Sequence, residues 1–330
     1  MKIALILHGN LRTFLMPTRE NPQLRVCDIF KNKIIIPNSP DVFIVTEAND
    51  FYYDGTQYCN RLEIANSDGF RIHDKVAYVS NEDARKIIEE QLKRELGERI
   101  KDMVVEDHIS DVSSDPKFQK LNNSDAKGCS PALIVKQHKK VQSAYKMMLR
   151  NETTPYDLVI KCRFDTMYDS NPLKLREYDY FNVDVYVPGS KGPIIYDWLA
   201  FGRRANMIDY LNLYDWLGWP IDKKAYSVEC RKCGNQLMET PAHEILNIVC
   251  PHCNNSDNVA FNEITSSSEY HIYSMFRERQ IKYASSGHHM YIYRYKDTAN
   301  NDIHQVFRTV DLNNITVVNH TMDRAMDQIK

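Results

Sequence analysis

The fold of this chain is decided by the stretch Tyr156-Asp157-Leu158-Val159-Ile160-Lys161-Cys162-Arg163-Phe164-Asp165. Its apolar run at 158–160 is bounded by polar residues, which predicts a short buried β-strand. Side chains alternate along an extended strand, so Lys161, Arg163 and Asp165 are expected to share one face. Ligands of open α/β sheets collect at the carboxyl ends of the strands. The stretch therefore predicts an α/β sheet that presents two cations and a carboxylate to a ligand.

The charges of this strand end have two interpretations. Two cations suit a diphosphate, and a carboxylate suits a divalent metal ion that bridges its oxygens. Alternatively, Arg163 or Lys161 pairs with Asp165 or Asp169, because ion-pair networks produce the same pattern of charge. The charge pattern alone leaves both interpretations open.

Strands and helices alternate through the first half of the chain. Short apolar runs at 2–7 and 41–46 predict parallel core strands, and 75–79 is a candidate third strand. Asn81 is expected to cap a helix over 82–99. This alternation predicts a mainly parallel, Rossmann-type sheet flanked by helices.

Two polar segments precede the decisive strand. Residues 108–129 are rich in Asp, Ser and Asn and are expected to form a loop. Ser130 and Pro131 then begin a helix that runs to about Leu149. We expect the basic residues of this helix to form a solvated face, although an anionic ligand is an alternative partner. They are Lys136, His138, Lys139, Lys140 and Lys146.

Composition and motifs exclude several classes of protein. The chain has 330 residues and a net charge of -2, which provides no general field for nucleic acid or an anionic membrane. Its apolar runs fall short of the roughly 18 residues of a membrane span, and the run at 3–7 is too short for a signal peptide. A cytoplasmic protein without a membrane span is therefore expected. Glycine-rich dinucleotide and P-loop motifs are absent after the apolar runs, which argues against oxidoreductases and P-loop NTPases.

Four cysteines have the spacing of a zinc site. Two Cys-x-x-Cys pairs are separated by sixteen residues, and four thiolates close a tetrahedron around Zn²⁺ with no open position. A structural zinc ribbon inserted at 223–257 is therefore predicted, since this segment is too small for a core of its own. Residues 1–222 and 258–330 then form the main domain. The predicted ligands are Cys230, Cys233, Cys250 and Cys253.

Four short motifs follow one another along the chain. They are Leu7-His8-Gly9-Asn10-Leu11-Arg12, the strand from Asp41 to Thr46, the stretch from Tyr156 to Asp165, and Trp198-Leu199-Ala200-Phe201-Gly202. In this order they resemble GT-A-like glycosyltransferases, the nucleotide-diphospho-sugar transferases, and most of all a group found in polysaccharide gene clusters and large DNA viruses. The resemblance covers roughly residues 1–220 and 260–295. The zinc ribbon departs from the family pattern, and Arg163-Phe164-Asp165 replaces its usual Asp-x-Asp.

The resemblance implies transfer of a sugar from a nucleoside diphosphate sugar to a hydroxyl of a glycan or other acceptor, in the host cytoplasm if the chain is viral. It leaves open whether the transfer inverts or retains the anomeric configuration. The residues implied for donor binding are Gly9, Arg12, Thr46, Lys161, Arg163, Trp198 and His288, with His289 as an alternative to the last. Those implied for catalysis are Asp165, Asp197 and Glu269, and Asp165 is also a candidate ligand of Mn²⁺ or Mg²⁺.

Several of these residues have structural alternatives. Gly9 is equally suited to end a strand, and Trp198 to fill a core. Glu269 also completes a capping box that begins at Ser266, which explains it without catalysis.

Two other functions compete with the glycosyltransferase hypothesis. One is a catalytically silent α/β scaffold whose zinc ribbon binds a protein partner. Retention of sugar-nucleotide binding distinguishes the enzyme from this scaffold. The other is a nucleotidyltransferase, which would normally carry a glycine-rich loop after the first strand, where this chain has only His8-Gly9-Asn10.

Overall fold

The computed structural model describes the following residues: 1–11, 14–15, 23–48, 52–53, 58–61, 76–106, 112, 114–122, 131–191, 194–217, 225–230, 236–241, 253, 259–263, 268–288 and 290–292.

Strands and helices alternate along these residues. The strands are β1 (Ile3–His8), β2 (Asp41–Glu47), β3 (Tyr52–Tyr53), β4 (Tyr58–Arg61), β5 (Val76–Val79), β6 (Ile100–Glu106), β7 (Leu158–Arg163), β8 (Thr166–Tyr168), β9 (Val185–Val187), β10 (Ser190–Lys191), β11 (Ile194–Ile195), β12 (Leu199–Arg203), β13 (Ala225–Cys230), β14 (Gln236–Pro241), β15 (Val259–Glu263), β16 (Tyr283–Ser285) and β17 (Met290–Ile292). The helices are α1 (Val26–Phe30), α2 (Ile36–Asn38), α3 (Asn81–Leu96), α4 (Pro116–Asn122), α5 (Pro131–Asn151), α6 (Arg204–Leu211), α7 (Leu213–Trp216) and α8 (Ser268–Glu278).

A seven-stranded mixed sheet forms the centre, in the order β16-β9-β12-β7-β1-β2-β6. Only β12 runs antiparallel to its neighbours, and the remaining pairs of adjacent strands are parallel. The prediction of an α/β protein with a mainly parallel sheet is therefore confirmed. In chain order, β1, β2 and β6 are added one after another toward one edge of the sheet. The next strand of the sheet, β7, lies on the other side of β1. This reversal creates a topological switch point between β1 and β7, where α/β sheets bind ligands.

Helices cover both faces of this sheet because the residues of its strands alternate between two apolar cores. On the first face, Leu158 and Ile160 of β7 pack with residues of α1 and α3, such as Phe30 and Leu92. On the second face, Val159 packs among residues of α5, α6 and α8, which include Met148, Met207 and Ile272. The two faces are called the α1 face and the α5 face below.

The decisive strand β7 and the parallel strands β1 and β2 were predicted correctly, as was the helix that was expected to begin at Ser130 and Pro131 and is observed over 131–151. The predicted cap of the helix over 82–99 was wrong. Ser80 caps α3 instead, since its Oγ accepts a hydrogen bond of 3.1 Å from the Asp83 amide. Asn81 is the first residue inside the helix.

Two further predictions need correction. The strand at 75–79 exists as β5, but it pairs with β4 in a small separate sheet rather than with the central sheet. The segment 108–129 is not wholly a loop, because 116–122 forms α4. Leu121 is buried beside Val135 of α5, so a tertiary apolar contact stabilises a helix that the polar composition hides.

The segment with the paired cysteines contributes a three-stranded antiparallel sheet, β14-β13-β15. Cys230 is the last residue of β13, and its backbone pairs with Val259 at the start of β15. Cys233, Cys250 and Arg12 lie outside the described residues. The zinc site and the insertion boundaries 223–257 therefore stay predictions.

None of the helices in the described part of the chain has the length and apolar character needed to cross a membrane.

A substitution of Gly202 tests how closely β9 and β12 pack in the central sheet. A Cβ at this position would overlap the backbone oxygen of Asp184, whereas one at Gly189 would meet only the Tyr196 ring at 3.6 Å, an ordinary contact. We expect Gly202→Ala to lower the free energy of unfolding by about 1–3 kcal/mol, as overpacking does. Chemical denaturation measures it, with Gly189→Ala as the control. Equal stability of the two variants would contradict the close approach of β9 and β12.

Candidate ligand site at the switch point of the sheet

The backbone at the switch point requires glycine. His8 at the end of β1 lies opposite Arg163 at the end of β7. Gly9 follows with a φ of +99°, a conformation that side-chain-bearing residues rarely adopt. Its amide donates to the Val45 oxygen at 3.2 Å, and no atom of the described residues lies within 4 Å of the position of a Cβ. Gly9 therefore turns the chain at the edge of the sheet and leaves space beside its backbone.

Arg163 and Asp165 form a bidentate ion pair. Nε and Nη2 of Arg163 donate to the two carboxylate oxygens of Asp165, each at 2.9 Å. Nη1 lies 3.5 Å from Oδ1 of Asp197, so the guanidinium bridges two carboxylates. The ion-pair interpretation of the strand end is thus confirmed for these two residues. Both oxygens of Asp165 are occupied by the same cation.

Asp197 is the buried anchor of this network, with only 1% of its surface exposed. Because β12 is antiparallel to β7, the residues before β12 lie beside the carboxyl end of β7. Oδ2 of Asp197 accepts hydrogen bonds from Gln137 and from Ser268 (3.2 Å), and its backbone oxygen accepts one from Lys161. Burial raises the pKa of Asp197, but the nearby Arg163 and Lys161 charges outweigh burial and lower it. Asp197 therefore stays ionised between two cations.

Lys161 is enclosed in the same cluster and is 1% exposed. Burial, with a smaller contribution from the Arg163 charge, lowers its pKa to about 8, although the Asp197 charge opposes the change. Its ammonium group lies 5.8 Å from the centre of the Tyr210 ring. Near neutral pH Lys161 is therefore still mostly protonated, and it adds positive charge to the switch point from inside the protein.

Helix α5 contributes three polar side chains whose place in this site was not predicted from the sequence. His138 lies 2.8 Å from the Ser268 hydroxyl, Gln137 bonds Asp197, and Lys140 pairs with Glu47 at the end of β2. His138 and Lys140 are 4% and 5% exposed, so assigning them to a solvated face was wrong.

The burial of His138 against the sheet could have been predicted from the sequence. It shares a helical stripe with buried apolar residues spaced three or four positions apart, which places it against the sheet. The stripe consists of Ile134, His138, Val141 and Tyr145. The prediction of a solvated face treated the basic residues of α5 as one group, although they do not all lie on the same face of the helix.

Two buried histidines have ring nitrogens without a hydrogen-bond partner among the described residues. Both nitrogens of His8, and Nε2 of His271, have no hydrogen-bond partner among the residues described. Burial lowers the pKa of His8 well below its usual value, helped by Lys161 and Arg163, and burial lowers that of His271 to about 4. Both rings are therefore neutral at pH 7. Unpaired buried polar atoms are rare, so a bound molecule or water is expected to complete this site.

The other residues expected at the site divide between the two faces. Glu269 is half-buried in the first turn of α8, on the α5 face, and its charge favours the protonated forms of Lys161 and Arg163. Ser266, the proposed start of its capping box, lies outside the described residues.

The side chains of Thr46 and Trp198 lie on the other face of the sheet from the cluster, although the Trp198 backbone oxygen accepts a hydrogen bond of 3.3 Å from the Arg163 amide. Alternation along β2 places Thr46 with Ile44 on the α1 face. Trp198 packs against the same core and stacks on Tyr196, with ring centres 4.8 Å apart. His288 contacts Tyr168 in a different part of the α1 face. The structure thus brings Gly9, Arg163 and the buried carboxylates together, while the side chains of Thr46, Trp198 and His288 lie on the α1 face.

A second group of possible metal ligands is an ion-pair cluster. In the described part of the chain, ligand atoms of Cys27, Asp28 and Glu95 lie within 4.8 Å of one another. Arg25 already binds both carboxylates, at 2.9 and 2.7 Å, and Lys31 also contacts them. Burial raises the pKa of the Cys27 thiol to about 12, so the thiolate that a metal needs is disfavoured.

No protein-family model matches the chain, and a search of curated proteins finds no significant match.

Asp197→Asn tests the neutralisation of the buried cations. The substitution keeps the volume but removes the charge that compensates Lys161 and Arg163, and we expect it to cost about 3–5 kcal/mol of stability. Equilibrium denaturation measures this cost. The control is Glu177→Gln, which breaks an exposed pair with Lys174 and should leave the midpoint unchanged. A small effect at Asp197 would show that the cluster does not depend on its charge.

Proposed function

We propose that this chain is a glycosyltransferase with a GT-A-like fold, which moves a sugar from a nucleoside diphosphate sugar to a hydroxyl of a glycan. One observation carries the proposal: the cationic side chains of Arg163 and Lys161 lie at the switch point of the sheet, beside the open backbone of Gly9, with Asp165 and Asp197 balancing their charges in the absence of a ligand. A leaving diphosphate needs such charge, because glycosyl transfer leaves negative charge on its oxygens.

Arg163 is the residue that would contact the diphosphate. Its bonds to Asp165 and its contact with Asp197 use three of five N–H groups, so two remain to donate to a phosphate. Asp165 holds the guanidinium plane in one orientation, which suits bidentate recognition of phosphate. Lys161 acts at a distance, because its ammonium bonds the Asp197 backbone. Asp165 and Asp197 are thus positioning residues.

A divalent metal at Asp165 does not fit this arrangement. Both carboxylate oxygens accept hydrogen bonds from Arg163, and an Mn²⁺ or Mg²⁺ ion would lie against the guanidinium charge. We therefore assign the neutralisation of the diphosphate to the two cations and not to a metal ion bound by Asp165.

Glu269 is the carboxylate that we assign to the acceptor. Asp197 is enclosed by its partners, whereas Glu269 is half-buried at the start of α8. During transfer the bond from the sugar to the diphosphate breaks and a bond to the acceptor oxygen forms. Glu269 would orient the acceptor hydroxyl and accept its proton.

A panel of donors tests the proposed function. UDP-, GDP-, CMP- and dTDP-sugars are added to the wild type, with Mn²⁺ or with EDTA, and the midpoint of thermal unfolding is measured. One donor should stabilise the native state by about 2.7 kcal/mol at a hundred times its dissociation constant. The stabilisation should be equal with Mn²⁺ and EDTA. It should weaken in Arg163→Lys, which keeps the charge but loses the planar fork.

Arg203→Lys is the matched control, since Arg203 lies exposed at the far end of β12 and should leave donor binding unchanged. If no donor shifts the midpoint, the glycosyltransferase proposal fails and the catalytically silent scaffold is favoured. A shift that requires Mn²⁺ would instead refute the assignment to the two cations alone.

We also propose that Zn²⁺ binds the four cysteines Cys230, Cys233, Cys250 and Cys253. The pairing of Cys230 with Val259 supports it, because this register brings the start of the first cysteine pair close to the strand that follows the second pair. Elemental analysis of the purified chain should find about one zinc ion per molecule, as expected for a closed set of four thiolates. Cys230→Ser should lose it, whereas Cys27→Ser, in the ion-pair cluster, should retain it. Equal zinc in both variants would refute the ligand set.

A further inference from the structure

A buried serine joins the start of α8 to the rest of the α5 face. Ser268 is the first residue of this helix and is 6% exposed. Its Oγ lies 3.2 Å from Oδ2 of Asp197 and 2.8 Å from Nε2 of His138, and the Gln137 amide donates to it at 3.3 Å. The hydroxyl thus connects α8 with α5 and with the chain that enters β12.

The charge of Asp197 decides the direction of these hydrogen bonds. An ionised carboxylate can only accept, so the single proton of the Ser268 hydroxyl is donated to Asp197. His138 must then donate to the serine from Nε2. Burial lowers the pKa of His138 to about 3, so the ring is neutral near pH 7 and carries this one N–H. The hydroxyl donates once and accepts from two side chains, which uses its full bonding capacity within the protein.

The remainder of α8 is held by a different kind of contact. Ile272, Met275 and Phe276 bury apolar side chains in the core of the α5 face. The inward positions of the first turn hold Ser268 and His271 instead, which are both buried and polar. Apolar contacts have no preferred direction, whereas a hydrogen bond requires a narrow range of distance and angle. The bonds of Ser268 therefore fix the start of the helix more sharply than its apolar core does.

Glu269 follows Ser268 directly in this first turn. It is half-buried, and its negative charge favours the protonated forms of Arg163 and Lys161, so its carboxylate faces these cations. Adjacent Cα atoms are about 3.8 Å apart, so a shift of the backbone at Ser268 moves Glu269 as well. The position of this carboxylate thus depends on the serine.

Asp197 is common to the two ends of the site. Its Oδ1 lies 3.5 Å from Arg163, and its Oδ2 accepts the hydrogen bond from Ser268. One buried carboxylate therefore links the cation that we assign to the diphosphate with the helix turn that carries Glu269.

We propose that Ser268 is a positioning residue, which holds Glu269 beside Arg163 by binding the first turn of α8 to Asp197 and His138. The anchoring of the turn stands on these bonds alone, whereas its role in transfer rests on the proposed function. In that function Glu269 accepts the proton of the acceptor hydroxyl while the acceptor oxygen bonds to the sugar. Displacement of such a group by about 1 Å can lower the rate on the order of a hundredfold.

Hydrogen exchange tests the anchoring without a substrate. Ser268→Ala removes the hydroxyl, and the amides at the start of α8 should exchange about tenfold faster, the effect of one hydrogen bond to a charged group. Ser268→Cys nearly keeps the volume with a weaker donor, and it replaces the alanine variant if that variant does not fold. Unchanged exchange at the start of α8 would overturn the proposal.

Ser286→Ala is the matched control. Ser286 is 7% exposed, and its hydroxyl accepts a hydrogen bond of 3.4 Å from the His288 amide instead of binding Asp197. This variant loses a serine hydroxyl of equal burial, so it should leave the exchange of α8 as it is in the wild type. Equal acceleration in both variants would show a general loosening and would refute the specific role of Ser268.

Release of nucleotide from the donor tests the role of the anchored turn in transfer. Water, lactose, maltose and cellobiose serve as acceptors for the donor sugars named above. Ser268→Ala should lower kcat by about tenfold or more and leave the KM for the donor unchanged, because the donor is assigned to Arg163. Ser268→Thr keeps the hydroxyl and should recover most of the rate.

A double variant decides whether Ser268 acts through Glu269. Glu269→Gln removes the group that accepts the proton, so adding Ser268→Ala should lower kcat no further. Additive losses, or an unchanged kcat in Ser268→Ala, would overturn the positioning role. If the wild type releases no nucleotide from any donor, the transferase is refuted, and hydrogen exchange then decides the anchoring by itself.

Discussion

The neutralisation of Arg163 is the constraint on which the rest of the structure depends. A guanidinium at the buried end of a central strand is tolerated only when carboxylates surround it. Asp165 follows β7 directly, and Asp197 enters from the antiparallel strand beside it. Gln137 of α5 and Ser268 of α8 then bind Asp197. One buried charge thus ties together the sheet and two helices of the α5 face.

The order of the strands explains why these groups meet where a ligand can bind. The chain reverses direction at β1, so the loops after β1 and β7 lead to opposite sides and leave a crevice between them. Gly9 opens the backbone there, and Arg163 lies directly opposite its neighbour His8.

Much of this arrangement was predictable from short patterns. The apolar run at 158–160 predicted the central strand, and the spacing of Arg163 and Asp165 predicted their shared face, whereas their pairing was one of two interpretations that the sequence left open. Thr46 and His288 were grouped with this site by resemblance alone. Alternation places Thr46 on the same face as Ile44, but only the packing of the helices decides which face of the sheet that is, and the position of His288 depends on a distant turn that no local pattern contains. His138 and Lys140 were misassigned because a basic residue on a long helix has no fixed face until the helix packs.

The sequence by itself determined the class of fold, the strand that centres it and the charges at its end, because alternation and apolar runs are local properties of the chain. Only the tertiary structure decided which charges are buried together, that Arg163 occupies both oxygens of Asp165, and that Ser268 of α8 binds Asp197. These features join residues far apart in the chain, and their energies depend on burial and mutual distance, which exist only after the helices pack on the sheet.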